Sequence, residues 1–310
     1  MRDLDHFRAV FTVAEWFYFR SLMLAQQNAH IALTQSTPAP SLRKIFIPRE
    51  HGSWGMWLLP LLSGAAVGTQ VAIGHHPLAI LWFLALSASA FLAYQPLEVL
   101  LALSPLRART KRERSFIAIW VLGCAILALL SLHRLSHLGR SDVIWFAILG
   151  GLCFVVRWIF GTTRAFRTSK QVMGALALTS TAAGAYYVAT GAIGREGLLL
   201  WITFWFFSAA QIEFVQLCIR TANAKSRAQK LSSGRTVLIF HLSLVLGTIV
   251  ISLARFTPVL FSLAFVPALI RILLWASRPP QKINFHHLGF AELFQSIIFT
   301  ALVTVALVQL

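Results

Sequence analysis

The sequence predicts an all-α fold, a polytopic membrane helix bundle, and three observations predict it. Of the 310 residues, 57% are hydrophobic and only 12% are charged, whereas soluble domains carry about 25% charged residues. The apolar residues gather in runs close to the roughly 20 residues that a helix needs to cross the hydrocarbon core. Basic residues gather in alternate loops between these runs, as in membrane proteins. Because the loops account for the net charge of +17, nucleic-acid binding is the weaker interpretation.

Residues 1–41 differ from the rest of the chain. Apolar residues between 7 and 18 fall at helical spacing and are interrupted by charged residues, which predicts an amphipathic surface helix. Residues 37–41 then form a linker that contains two prolines. We therefore divide the chain into an N-terminal extension, 1–41, and a transmembrane domain, 42–310. Whether the extension belongs to the working protein is left open.

The transmembrane domain contains about nine apolar segments, each interpreted as a spanning helix because lipid leaves backbone groups no other partners. In the first segment, Gly64 and Gly68 form a GxxxG step, which allows a neighbouring helix to approach closely. The nine segments cover residues 54–74, 77–103, 116–132, 142–160, 171–193, 197–219, 236–253, 257–275 and 289–309.

The distribution of Lys and Arg predicts the orientation of these segments. The N-terminal region and every second loop after it hold 21 basic residues, whereas the alternate loops hold 4. Since basic loops stay in the cytoplasm, the N-terminus is predicted to be cytoplasmic. Nine spans then place the C-terminus outside.

Charged and polar residues within or beside the segments form the candidate ligand-binding site. Such groups cost about 2.5 to 3.5 kcal/mol each on insertion scales when charged, so they tend to face partners or water. The predicted topology places all of them in the cytoplasmic half of the membrane. One interpretation is a water-filled vestibule in which arginines meet an anionic group; the other is ion pairs between helices with arginines reaching the headgroups. The candidates are Arg49, Glu50, His51, Tyr94, Gln95, Glu98, Arg157, Glu213, Gln216, Arg220, His241, Arg271 and Glu292.

Glu98 lies beside a proline inside the second segment. Pro96 removes one backbone hydrogen bond and is expected to bend the helix. Tyr94 and Gln95 precede Glu98 by four and three residues and therefore share its helical face. The freed carbonyl, the amide and the carboxylate could line a pocket together. A kinked helix that only packs against its neighbours is an equal alternative.

The sequence favours neither a metal nor a cofactor. His133 and His137 have the i,i+4 spacing that can bind a metal, but no carboxylate or third ligand is close in sequence, so a solvent-facing pair is favoured. The three cysteines are spread singly through apolar segments. The sequence contains no P-loop, HExxH or GxSxG motif.

The start of the first segment carries a resemblance to a known family. The sequence PREHGSWGM at 48–56 with LLPLL at 58–62 resembles the opening of the YwiC-like family of bacterial membrane proteins. Weaker similarities lie at 94–97, 216–220 and 289–292. The resemblance implies a multi-pass protein of the bacterial cytoplasmic (inner) membrane, without implying an activity.

A fainter similarity in layout is to the UbiA-type prenyltransferases. That family has nine helices, an inward-facing site, and polar motifs after the second and sixth spans. Here those places hold residues 94–98 with 107–114, and residues 211–235. The magnesium-binding aspartates of the family are absent from both. Without them a prenyl diphosphate loses its metal clamp, so the resemblance implies the architecture and puts the reaction in doubt.

Two functions from different classes fit these observations. The first is a protein that binds a lipid, quinone or isoprenoid-type amphiphile, in which arginines hold an anionic group while Glu98 and Glu213 orient it or move protons; catalysis is left open. The second is a proton-coupled small-molecule transporter, ranked lower because only Pro96 and Pro267 interrupt segments and no internal repeat is evident. A non-catalytic membrane assembly factor is a third alternative. Membrane lipids are the expected partners, and the oligomeric state is open.

Overall fold

The structure is a computed structural model that describes residues 43–46, 51–72, 76–104, 106, 108, 110–159, 167–279 and 284–309. The predicted N-terminal extension lies outside the described residues. The regular elements of the described part are all α-helices, as the composition predicts. They belong to one compact unit, Leu42–Leu310.

Twelve helices are described, and we number them in chain order. They are α1 (Arg43–Phe46), α2 (His51–Val71), α3 (Pro77–Leu100), α4 (Lys111–His137), α5 (Val143–Ile159), α6 (Arg167–Thr179), α7 (Thr181–Thr190), α8 (Arg195–Thr221), α9 (Arg227–Leu253), α10 (Val259–Leu263), α11 (Val266–Ser277) and α12 (Phe285–Val308).

Within the described residues, seven stretches of helix are long and apolar enough to cross a membrane. They coincide with the predicted second, third and fifth to ninth segments. The fourth is the shorter helix α5, and the first is α2, which is not one of the seven. The chain is thus a multi-pass helical membrane protein, and the count of nine spans stays a prediction. The seven are Pro77–Leu100, Lys111–His137, Thr168–Thr190, Arg195–Thr221, Arg227–Leu253, Val259–Ser277 and His286–Val308.

Helix α7 lies at the centre of the bundle, with every residue from Thr181 to Ala189 buried. Its contact with α2 depends on the predicted GxxxG step. A Cβ atom at Gly64 would lie 2.0 Å from the carbonyl oxygen of Ala182, and one at Gly68 would lie 2.8 Å from the Cβ of Ala189. Only glycine permits this approach of two backbones, so the close packing predicted for the first segment is confirmed.

The other neighbours of α7 also use its small residues. The ring of Phe83 on α3 lies against Gly184, where a Cβ atom would be 2.3 Å from the ring. Tyr186 turns to the opposite neighbour, α8, and packs where Gly197 has no side chain. Its hydroxyl donates a hydrogen bond to Glu196 at 2.8 Å. Helices α2, α3 and α8 therefore surround α7.

The fifth span is interrupted between α6 and α7, which the sequence analysis did not predict. No proline is present; instead the run Thr179-Ser180-Thr181 places three hydroxyls in a row, each bonded to a carbonyl three or four residues earlier. Such bonds bend helices. The Thr181 hydroxyl also lies 3.0 Å from the carbonyl oxygen of Trp57 on α2.

The two prolines expected to interrupt segments behave differently. Pro267 lies in the first turn of α11, directly after the break that separates it from α10, so this interruption is confirmed. Pro96 lies inside α3, which continues to Leu100. A proline is tolerated inside a membrane helix when a neighbour satisfies the freed carbonyl.

Candidate functional site

A buried ion pair joins α11 to α12. The guanidinium of Arg271 bonds the carboxylate of Glu292 through Nη1 and Oε1, and the side chains are only 16% and 14% exposed. The guanidinium also lies over the ring of Phe214 on α8, with its central carbon 4.0 Å from the ring centroid. Stacking on an aromatic ring suits the weakly hydrated guanidinium. Three helices thus hold one arginine.

The surroundings of the pair are apolar. Phe214 belongs to a buried cluster whose other members are Leu217, Cys218, Val237 and Ile272. Charges in such surroundings attract each other strongly but also lose the solvation of water. The pair is therefore stable only while every charged group keeps a partner.

Several polar atoms here have no hydrogen-bond partner among the described residues. They are Nε and Nη2 of Arg271, Oε2 of Glu292 and Nε2 of His241. The two guanidinium nitrogens form one edge of the fork, the edge that binds a carboxylate or phosphate through two parallel bonds. Buried polar groups are rarely left unpaired, and this edge has no acceptor among the described residues.

His241 lies on α9, one turn after Val237, which belongs to the same buried cluster as Phe214. It is 2% exposed. Its Nδ1 donates to the carbonyl oxygen of Val237 at 2.8 Å. Because Nδ1 carries that proton, Nε2 of the neutral ring is an acceptor, and protonation makes it a second donor. His241 was predicted from the sequence as a site residue, and the structure places it against the apolar cluster that contains Phe214.

A second polar contact lies beside the pair, between α8 and α12. Gln211 donates from Nε2 to the carbonyl oxygen of Glu292 at 3.1 Å and to the hydroxyl of Ser296 at 2.9 Å. Gln211 and Ser296 line a small cleft between α2, α8 and α12. The cleft is also lined by Gly55, Met56, Leu59, Phe204, Phe207, Ser208 and Thr300. In the sequence, the only sign of this contact is that Gln211 is a polar residue within a mostly apolar segment.

The other predicted residues of α8 form a more exposed group. The carboxylate of Glu213 lies 3.6 Å from the guanidinium of Arg220, and the two side chains are 32% and 55% exposed. Gln216 donates to Gln171 on α6 at 3.0 Å. Glu213 and Gln211 lie two residues apart on α8 and so face different directions.

Glu98 bonds a residue of its own helix. The hydroxyl of Tyr94 donates to Glu98 at 2.7 Å, as their spacing predicts, and Gln95 beside them is half-buried. The carbonyl of Leu92, which Pro96 cannot bond, lies 3.3 Å from Nε1 of Trp120 on α4. This carbonyl therefore takes part in packing between α3 and α4, as in the alternative of a packing helix.

Most of the described candidates lie in the half of the bundle where α8 and α11 end and α6 and α12 begin. Arg271 lies at the middle of α11 and bonds Glu292 in the third turn of α12, and Gln216 near the end of α8 bonds Gln171 near the start of α6. Trp54, near the start of α2, packs on Phe91 of α3 with ring centroids 5.0 Å apart. Arg49, Glu50 and the side chains of His51 and Arg157 lie outside the described part of the chain.

One buried residue at this end was missed from the sequence. Lys230 is 4% exposed, and its ammonium donates to the carbonyl oxygens of Trp275 at 2.5 Å and Arg278 at 2.7 Å. A cation is favourable at these carbonyls because they carry the negative end of the helix dipole. Lys230 thus fixes the end of α11, the helix that carries Arg271.

Comparison with known proteins gives one match. Residues 47–190 match the model of a protein family described as YwiC-like protein, which confirms the resemblance over these residues. The matched segment reaches the end of α7, so the ion pair between Arg271 and Glu292 lies beyond it. No curated protein and no solved structure matches the chain.

Proposed function

We propose that this multi-pass membrane protein, YwiC-like over residues 47–190, binds an amphiphile of the lipid, quinone or isoprenoid type through an anionic group. The group is held by Arg271, with Glu292 and His241 beside it. The bundle is of the UbiA-like kind without its magnesium-binding aspartates, so the arginine takes the place of a metal clamp.

The open edge of Arg271 carries this proposal. Nε and Nη2 are buried and have no partner among the described residues, although the guanidinium lies within spanning helices. A carboxylate or phosphate would accept from both nitrogens, and such bidentate bonds are among the strongest a protein makes. An amphiphile suits this position because its apolar part can stay in lipid while its head reaches the arginine.

The contacts of Arg271 also explain why it is ready to bind. Phe214 on one face and Glu292 at Nη1 fix the plane of the guanidinium. A donor that is already oriented loses little entropy when the ligand arrives. The carboxylate compensates the charge before binding, and the free oxygen Oε2 can accept from a hydroxyl of the ligand.

The experiment is mass spectrometry of small molecules that co-purify with the protein in mild detergent. Wild type should retain an anionic amphiphile, and Arg271→Gln should lose it. Arg271→Lys should lose most of it, because an ammonium keeps the charge but not the fork. Arg220→Gln is the matched control, since this arginine also pairs with a glutamate but is 55% exposed. Equal retention in Arg271→Gln, with an unchanged gel-filtration profile, would contradict the proposal.

A transporter is the second candidate, because two spans are discontinuous. The fifth is interrupted at Ser180, and the eighth is interrupted between α10 and α11. Broken helices are common at the substrate and ion sites of transporters. Proton-driven uptake into liposomes that disappears in Glu292→Gln would favour this function over simple binding. Uptake that is unchanged in this variant would exclude Glu292 as the coupling group.

In the cell we place the protein in the bacterial inner membrane with the site opening toward the cytoplasm. The supporting observation is the distribution of basic residues, 21 against 4 in alternate loops. Buried Lys230 bonds the C-terminal end of α11, the helix that carries Arg271. An amphiphile could then enter from the inner leaflet.

A further inference from the structure

A pair of histidines lies at the last turn of α4, at the end of the bundle away from Arg271. His133 and His137 are both exposed. Their Nε2 atoms are 3.2 Å apart. The ring centroids are 4.4 Å apart and the ring planes are perpendicular, at 90°. The two Nε2 atoms therefore lie next to each other on the helix surface, within hydrogen-bond distance.

This separation fits a shared metal ion. An imidazole nitrogen binds zinc at about 2.0 to 2.1 Å. An ion at that distance from both Nε2 atoms would make an N–metal–N angle of about 100°, between the square and the tetrahedral values. The i,i+4 spacing places both rings on one helical face, and α4 holds that spacing rigidly.

We propose that His133 and His137 form a two-histidine site for a borderline divalent transition-metal ion, of the class of Cu²⁺, Ni²⁺ or Zn²⁺. Water completes the coordination, because both rings face solvent. Each Nε2 must offer its lone pair, so both rings carry their proton on Nδ1 when the ion is bound. The ring that donates in the present contact moves its proton from Nε2 to Nδ1 by exchange with water, and the net proton count does not change.

Among the residues that the structure describes, this site has two protein ligands. Within the described residues there is no group of three or more His, Cys, Asp or Glu side chains that could hold a metal. His76 precedes α3, and it lies near the end of α4 because Ala79 of α3 and Leu135 of α4 share one buried cluster. It is not part of a group of three possible ligands among the described residues. Cu²⁺ should bind most tightly and Mg²⁺ should not compete, because imidazole ligands follow the Irving–Williams order.

The test is a calorimetric titration of the full chain, purified without a histidine tag, with Cu²⁺, Zn²⁺ and Mg²⁺. One Cu²⁺ should bind per chain, and Zn²⁺ should bind more weakly. His133→Ala and His137→Ala should each weaken Cu²⁺ binding at least about tenfold, since even loss of an outer-shell partner costs 10- to 100-fold. Mg²⁺ should produce no heat of binding.

Two matched controls separate this site from general histidine binding. His76→Ala removes an exposed histidine at the same end, and His286→Ala with His287→Ala removes two adjacent histidines that cannot share a face at that spacing. Both controls should bind Cu²⁺ like wild type. Loss in the His76 variant equal to that in His133→Ala, or wild-type binding in His133→Ala, would overturn the proposal. Because the positions are exposed, these substitutions should leave the fold intact, which gel filtration checks, and His133→Gln keeps much of the side-chain volume for a repeat.

Discussion

Burying Arg271 or Glu292 alone in the membrane costs free energy, and the ion pair between them reduces this cost. A charge at the centre of a spanning helix is unfavourable by several kcal/mol unless it is paired. The pair is 16% and 14% exposed and lies against Phe214. At the scale of single residues, stability and the proposed binding therefore depend on the same guanidinium, since one nitrogen serves the pair and the other two have no partner among the described residues.

This dependence predicts an asymmetry between single and double substitutions. Glu292→Leu should lower the free energy of unfolding by about 3 to 5 kcal/mol, because it leaves a buried arginine without its partner. Arg271→Met combined with Glu292→Leu should recover most of that loss, because two apolar side chains of similar size replace the pair. Denaturant unfolding in detergent measures both. The more exposed pair is the control: Glu213→Leu should cost only about 0 to 1 kcal/mol. A double variant less stable than the single one would contradict this account.

The sequence predicted some of the buried polar residues and missed others. The sequence singled out His241, Arg271 and Glu292 because each is costly in a spanning segment. It did not single out Lys230, which looked like one more basic residue of an inner loop. The reason is that the carbonyls which Lys230 bonds belong to another helix. Sequence spacing does not reveal which helix end lies beside a given loop.

At the scale of helices, the contact between α2 and α7 is the tightest part of the core. Gly64→Ala should destabilise the protein by about 1 to 3 kcal/mol, since its Cβ would lie 2.0 Å from a backbone oxygen that cannot move aside alone. Gly123 on α4 is the matched control, because nothing lies within 4 Å of a Cβ there. Gly123→Ala should unfold at or slightly above the wild-type temperature, given the higher helix propensity of alanine. Equal melting temperatures of the two variants would show that α2 and α7 can separate without cost.

The sequence predicted helix positions better than helix continuity. Seven predicted segments correspond to long apolar helical stretches of the structure, because apolar length is what lipid requires. The break at Ser180 was missed, because three hydroxyls in a row are compatible with a continuous helix until their bonds to carbonyls are known. The break near Pro267 was expected, since proline cannot continue the preceding hydrogen bonds.

At the scale of the whole molecule, the sequence predicts that the costly charges lie in one half of the membrane, which stays a prediction, and it does not predict which side chains meet. Antiparallel alternation of helices is enough for the first statement. Pairing is different: it depends on the rotation of each helix and on its neighbours. Glu98 bonds Tyr94 on its own helix, whereas Glu292 bonds an arginine of another. Both spacings looked equally suitable for a common vestibule, which stays a prediction.

The distribution of basic residues predicts which loops lie in the cytoplasm. Thiol labelling of single cysteines tests this topology. Exposed positions at the two ends, Ser141 and Ala192 against Asn223 and Ser277, can each be changed to cysteine. The native thiols are buried or half-buried, so their background should be low. An impermeant maleimide should label the first two in intact cells and the last two only after permeabilisation, because the basic loops stay inside. If Ser141→Cys and Ala192→Cys were labelled from opposite sides, the short helix α5 would not cross, and the count of nine spans would be wrong.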